Sequence, residues 1–252
     1  MNISLIIPCY NEEANLQKGV LDKIGNYTKD NSSFGEVLVV DDGSTDDSAS
    51  IISAKYSKRF PKFKLIKNKH MGKAFAIMTG IEKATCDSVM FSDMDLATPI
   101  EEATKLIREV EKGFDVVIGS RNTNREGAPF SRKLLALGFI WIRNLLIGLR
   151  GIKDTQCGFK MFKTTAARTI ISKLQVFKDI HVIKTPSVTA GFDLEFLFLA
   201  RKLKYKIKEV PVIWRHVETK RVTFIKDSLE TLRDIVKIKL CDLSHTYDKA
   251  KT

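Results

Sequence analysis

The sequence predicts an α/β protein built on a mainly parallel sheet flanked by helices. Three observations lead there. Short continuous apolar runs recur through the first half, without the alternation of half-exposed strands. Helical blocks separate those runs, and turns rich in Asp, Gly and Pro close them. Unbroken apolar runs mark strands buried on both faces, and the intervening helices supply the crossovers that parallel neighbours require.

The first run, Ile3–Ile7, is closed by Pro8, and a helix is expected from Asn11 to about Ile24, with acidic residues in its first turn. Val37–Val40 is the second run. It ends in "DDGSTD", after which Asp46 to about Tyr56 reads as a helix. Phe63–Ile66, Ser88–Phe91 and Val116–Ile118 are further strands, with helices near Lys73–Ala84 and Ile100–Lys112. From about Asn122 the rhythm is lost. "RNTNREGAPFSR" reads as a loop before an apolar helix, and "KDTQCGFKMF" and "IKEVPVIWRH" read as turns and strands. One domain over 1–252 is the economical division, with a regular first half at 1–122, a second half at 123–240 and a tail at 241–252.

The chain has 252 residues, is 44% hydrophobic and carries a formal charge of +12, so it has material for a large core and favours anionic partners. Cys9, Cys86, Cys157 and Cys241 form no CxxC pair, which argues against a zinc site or a disulfide framework. "MNISLIIPCYNEE" is too short and too acidic for a signal peptide. The apolar stretch from Leu134 to Leu149 is interrupted by Arg143 and Asn144 and falls short of a membrane span.

Ligands of parallel sheets bind at the carboxyl ends of the strands, where "PCYNEE", "DDGSTD" and "DMDLATP" all fall. Asp93 and Asp95 stand two apart just past a strand and can converge on one hard cation, Mg²⁺ or Mn²⁺. Asp41 and Asp42 close another strand, and two such pairs at one sheet edge repel without a cation or a hydrogen-bonding ligand. Tyr10, Asn11 and Glu12 can stack on and hydrogen-bond a base or ribose, the plainer alternative being a helix cap by Asn11. Gly72-Lys73 lacks the rest of a Walker loop, and no GxGxxG exists, which disfavours ATPase and dinucleotide-oxidoreductase readings. The four histidines, His70, His181, His216 and His245, show no metal-ligand spacing.

Together "IIPCYNEE", "VVDDGSTDDS", "GKAFAIMTGI", "FSDMDLATP" and "VIGSRN" resemble the family 2 glycosyltransferases of GT-A fold in order and approximate spacing. "DTQCGFK" and "GFDLEFLFLARKLKYKIKEVPVIW" resemble the polyprenyl-phosphate branch of that family, nearest to the dolichyl-phosphate β-glucosyltransferases. The resemblance implies a Rossmann-like fold and inverting transfer of glucose from UDP-glucose to a polyprenyl phosphate. It implies that Pro8, Tyr10, Asn11, Glu12, Asp41, Asp42, Lys73 and Asp93 bind the nucleotide sugar. Asp93 and Asp95 would hold the metal, with Arg121 at the diphosphate or acceptor phosphate and Asp193 near the acceptor. Arg132, Lys220, Asp154 and Gln156 are the acceptor-side candidates. Ala97, where mannosyl relatives tend to carry Gln, removes a third protein ligand and tilts the donor from GDP-mannose towards UDP-glucose. A GDP-mannose-dependent transferase and a family member with a sugar hydroxyl acceptor remain the alternatives.

Two segments of the second half suit a membrane surface. In "SRKLLALGFIWIRNLLIGLR" helical spacing puts Arg132, Arg143 and Arg150 nearly in line on an otherwise apolar helix, with Trp141 at headgroup depth. The alternative is a core helix whose arginines reach solvent. In "VTFIKDSLETLRDIVKIKL", Ile225, Leu229, Leu232 and Val236 share a face, which would pack on the domain or meet the membrane, while Lys226, Arg233, Lys237 and Lys239 stay polar. The implied place is the cytoplasmic side of a membrane, peripheral or monotopic, with a homo-oligomer or a membrane-protein partner left open. A nucleic-acid-binding module, the reading from another class, lacks any accompanying recognition motif.

Overall fold

Seven strands form one sheet in the order β3-β2-β1-β4-β6-β5-β7. The computed structural model describes residues 1–121, 130–177, 190–215 and 224–249, the side chains of 130–137, 190 and 224–228 excepted. β1 (Ile3–Cys9) is buried at every residue, and β2 (Phe34–Asp41) at every residue but Gly35. This is what unbroken apolar runs require. β3 (Phe63–Lys67), β2, β1 and β4 (Ser88–Phe91) run parallel, and β5 (Val116–Arg121) pairs in parallel with β7 (Ile207–Val212). Alternate residues feed two apolar layers: Ile6, Leu38 and Val40 enter one, and Leu5, Ile7, Val37 and Val39 enter the other.

β6 (Lys160–Lys163) departs from this pattern. It lies antiparallel between β4 and β5, with Lys160 opposite both Phe91 and Ile118. Its amino end therefore lies at the carboxyl edge of β4, which brings residues 157–160 to the same edge as Asp93 and Arg121.

The first expected helix is two. α1 (Glu13–Gln17) and α2 (Val20–Lys29) are divided at Gly19, whose φ of 72° is left-handed and interrupts the helical path. Its Asn11 is not a cap, because Glu12 holds the N-cap position. α3 (Ser48–Ile51) continues through a π-helical turn (Ile52–Tyr56) into α4 (Ser57–Arg59). α5 (Lys73–Lys83) and α6 (Ala103–Glu111) fall where expected. The second half adds α7 (Phe130–Ile147), α8 (Thr164–Ser172), α9 (Ala190–Lys202), α10 (Phe224–Leu243) and α11 (Thr246–Lys249). Among the described residues no helix is long and apolar enough to cross a membrane.

The arginine line expected on α7 does not form. Arg143 is 1% exposed and donates to the Ile152 carbonyl and the Asn144 side chain, so it ties the helix to the turn that follows. Arg150 lies beyond the helix end, and the Arg132 side chain is outside the described residues. The outward residues are instead apolar: Trp141 is 67% exposed and Leu145 59%. α10 packs on α7 and α9 and buries Thr231, Ile235 and Ile238. Of its expected apolar face, Leu229 and Val236 are exposed, and Leu240 and Leu243 extend that line; the side chains of Ile225 and Lys226 are outside the described residues.

Candidate active site

The crevice lies at the carboxyl edge where β1 is flanked by β2 on one side and β4 on the other. Cys9 is level with Asp41, and Ile6 with Phe91, so the chain leaves all three strands at the same edge. Reversal of connection at such a point opens a cleft in parallel sheets.

On the β1–β2 side, Asn11 holds two loops together from a left-handed backbone (φ 53°), a conformation that asparagine tolerates. Its Oδ1 accepts the Thr45 N–H at 2.8 Å, and its own N–H donates to Ser44 Oγ at 3.0 Å. The Glu12 N–H donates to Ser48 Oγ. Asp41 is buried and accepts the Ser44 N–H. Burial first, then the charges of Asp41 and Glu12, push the neighbouring Cys9 thiol up to about 12, which keeps it an inert thiol. Asp42 is also buried. It accepts the Met71 and Gly72 N–H groups at 3.0 and 2.8 Å and His70 Nδ1 at 2.7 Å. The Asp42 carboxylate thereby fixes the loop that leads into α5, and His70 stacks flat on Tyr10.

α5 then delivers Lys73, whose ammonium contacts Oδ1 of Asp93. Asp93 Oδ1 is buried and makes no hydrogen bond, so the lysine charge is what faces it. Burial draws the Lys73 ammonium down, but Asp93, Asp193 and Asp95 together hold it above the usual lysine range. Burial, with the charge of Asp93, raises the Asp95 carboxyl above the ordinary carboxylate value, although Ala97 N–H donates to it at 2.9 Å. The Asp93 carboxylate sits against Gly158, where a Cβ would clash with it, so any side chain there would push the carboxylate out of its place. A half-buried pair of carboxylates, one oxygen of which meets only an ammonium, fits a hard divalent cation completed by phosphate oxygens and water. Among the described residues no group of three or more His, Cys, Asp or Glu side chains forms a metal cage.

On the β5–β6 side, Arg121 grips Asp154 as a fork, Nε to Oδ2 at 2.6 Å and a terminal nitrogen to Oδ1 at 2.9 Å. Burial raises the Asp154 carboxyl, but the Arg121 hydrogen bonds and charge outweigh it and hold the group below the usual range. The Gln156 N–H donates to Asp154, and the Trp214 ring lies 5.7 Å from the Arg121 guanidinium. Lys160, 1% exposed, donates to Asp193 Oδ1 at 2.5 Å and lies over the Phe91 ring.

Residues 4–171 match the model of glycosyl transferase family 2. The chain belongs to that family. This glycosyltransferase is similar along most of its length to proteins named dolichyl-phosphate beta-glucosyltransferase. One of Trichomonas vaginalis is 34% identical over 94% of the chain and 74% of the relative. That of Saccharomyces cerevisiae is 30% identical over 97% and 76%, and that of Homo sapiens 30% over 99% and 78%. Among solved structures, glucosyl-3-phosphoglycerate synthase of Mycobacterium tuberculosis, crystallised with Mn²⁺ and UDP-glucose, shares the fold. Its TM-score is 0.66 at 19% identity, over 94% of this chain and 78% of that one.

The expected residues of this glycosyltransferase thus fall into connected groups. Pro8, Tyr10, Asn11, Glu12, Asp41 and Asp42 gather on the β1–β2 side, and Lys73, Asp93 and Asp95 at the centre. Arg121, Asp154, Gln156 and Asp193 stand by β5 and β6. Arg132 and Lys220 lie outside the described side chains. His70, Gly158, Lys160 and Trp214 join them without having been singled out. A lone histidine, and a lysine at the head of an apolar run, carry no motif. Only the antiparallel placement of β6 shows that Gly158 and Lys160 belong at the crevice.

Proposed function

We propose that this chain transfers glucose from UDP-glucose to a polyprenyl phosphate of dolichyl type, with inversion at the anomeric carbon. The observation that carries the reading is the meeting of the Asp93–Asp95 pair, balanced only by an ammonium, with the Arg121 fork in one crevice. The names of the relatives suggest glucose as the sugar and dolichyl phosphate as the acceptor, and UDP as the nucleotide is suggested by the UDP-glucose in crystals of the structural neighbour.

In this reading Pro8, Tyr10, Asn11, Glu12 and Asp41 form the nucleoside pocket, which Asp42 braces from behind. Asp93 and Asp95 hold Mg²⁺ or Mn²⁺, which when bound neutralises charge on the departing diphosphate. Lys73, released from Asp93, turns to the same phosphates. An oxygen of the lipid phosphate attacks the anomeric carbon and the bond from that carbon to the UDP oxygen breaks. No general base is needed, because a phosphate monoester with a second pKa near ~6 is already largely dianionic at neutral pH. Arg121 directs that anion as a planar fork, with Asp154 fixing its plane. Asp193, paired to Lys160, positions charge beside the acceptor instead of taking a proton. Arg132, Lys220 and Gln156 complete the acceptor side.

Trp141 and Leu145 on α7, with Leu229, Val236, Leu240 and Leu243 on α10, give two packed helices an apolar outer face. That face suits peripheral contact with the cytoplasmic surface of a membrane that holds the acceptor. The test is a panel of radiolabelled nucleotide sugars with polyprenyl phosphate, with and without chelator, read by mass spectrometry of the lipid product. Glucosyl lipid from UDP-glucose alone, abolished by chelator, is expected. Mannosyl lipid from GDP-mannose, or no lipid product, would overturn the reading.

A further inference from the structure

His70 has one nitrogen committed and one left over. Its Nδ1 lies 2.7 Å from Asp42 Oδ2 and 3.1 Å from the Asp42 carbonyl oxygen. Both are acceptors, so Nδ1 carries the proton and, in the neutral ring, Nε2 presents a lone pair. Asp42 cannot turn away, because the Met71 and Gly72 N–H groups hold its two oxygens. The backbone of Gly43, at φ +74°, passes so close that a Cβ there would lie 2.9 Å from the His70 nitrogen of the main chain. The imidazole is thus set in tautomer and in place, yet Nε2 is buried and has no hydrogen-bond partner. An unpaired buried acceptor costs roughly 1–3 kcal/mol. Among the described residues the one other buried side-chain atom without a regular hydrogen bond is Asp93 Oδ1, and that atom has the Lys73 ammonium against it.

The surroundings say what kind of atom belongs there. The imidazole and the Tyr10 ring are parallel within 5° at 3.8 Å. A planar base bonded edge-on to Nε2 would lie in the imidazole plane, at stacking height relative to the tyrosine. Tyr10 is half-buried and lies flat on the imidazole face, which leaves the in-plane direction of the Nε2 lone pair clear of the tyrosine ring. We infer that His70 is a nucleotide-recognition residue whose Nε2 accepts a hydrogen bond from a donor group of the bound nucleoside, the imide N–H of the base or a ribose hydroxyl. Asp42 acts through it as a positioning residue. The inference rests on the nucleotide-sugar reading above and names one contact that reading does not contain.

The experiment is calorimetric binding of UDP, N3-methyl-UDP, 2′-deoxy-UDP and 3′-deoxy-UDP to the full chain and to His70→Phe, which keeps a flat ring against Tyr10 and has no acceptor. Loss of one hydrogen bond to a buried site corresponds to about tenfold in affinity. The wild-type chain is expected to bind one analogue about tenfold more weakly than UDP. His70→Phe should bind UDP more weakly and no longer discriminate against that analogue, which identifies the donor as base or ribose. His70→Gln, which restores an acceptor oxygen, should recover part of the discrimination. The wild-type comparison stands even if a variant fails to fold. Equal wild-type binding of UDP and all three analogues, or full discrimination retained by His70→Phe, overturns the role of His70 alone. Absence of UDP binding to the wild-type chain overturns the nucleotide-sugar reading with it.

Discussion

The carboxylates on the two sides of the crevice are satisfied by different means. On the β1–β2 side, Asp41 and Asp42 accept backbone N–H groups, and the Asn11 amide does the same. Around β4, β5 and β6, Asp93, Asp154 and Asp193 each face the cation of another side chain, Lys73, Arg121 and Lys160, with Asp154 also accepting the Arg121 and Gln156 N–H groups. Backbone donors cannot leave without unfolding a loop, so the first side is a fixed mould for a ligand. Side-chain cations can turn by rotamer change, so the second side holds charge that can be handed to phosphates or replaced by a metal ion. Under the proposed function, one side would recognise and the other exchange.

The strongest break of this contrast is Asp95→Asn. It keeps size and hydrogen bonding but removes the charge a divalent ion needs, and glucosyl transfer should fall about a thousandfold, an effect of several kcal/mol. Mn²⁺ binding measured by electron paramagnetic resonance should weaken in parallel. Unchanged metal binding would remove Asp95 from the exchanging side. Next is Lys160→Met, which leaves Asp193 without its buried cation and should destabilise by about 3–5 kcal/mol in urea unfolding, with Lys160→Met/Asp193→Asn recovering much of that.

Glu36, distant from the crevice, combines both means of satisfaction and tests their joint strength. Burial would raise its carboxyl, but Lys64, the Ser4 hydroxyl and the Thr85 N–H and hydroxyl lower it to about 2. Its folded pKa is depressed, so it contributes stability above the ordinary value of 4.5 that is lost progressively as the pH falls towards about 2. The full contribution is roughly 3 kcal/mol, and Glu36→Gln should flatten that part of the stability–pH curve. The smallest expected effect is Asn11→Ala on the fixed side. It costs about 1–2 kcal/mol through the lost Thr45 bond and the left-handed backbone, and weakens UDP binding more than lipid-phosphate binding.

The parallel half of the sheet is legible from the sequence because each of its strands is an unbroken apolar run ending in a turn. The Asp93–Asp95 pair is legible because its spacing past a strand has a chemical meaning. β6 is harder to read. "KMFK" offers four residues whose partners lie about 70 and 45 positions earlier in the chain, a pairing that no local pattern encodes. Arg143 shows a related gap. Helical spacing places it at an angle on α7, but that this angle faces inward is set by the turn after the helix, whose Ile152 carbonyl takes its guanidinium. His70 carries no sequence signal because its surroundings depend on Asp42 and Tyr10, which meet it only in the folded chain.

The antiparallel strand also sets an order of assembly. β4 and β5 never touch as neighbours; each pairs with β6, which the ribosome delivers some forty residues after β5 is complete. Until then β4, which leads into Asp93, has an open edge and the strand carrying Arg121 has no partner, since β7 comes later still. The nascent enzyme therefore holds an unsealed apolar edge for the roughly seventy residues made between β4 and β6, a window in which aggregation competes with folding. A chain released after Arg121 should be protease-sensitive and fail to bind UDP, whereas one released after Val212 should begin to acquire protection. In this molecule the edge that carries the candidate site closes only after β6 has been made.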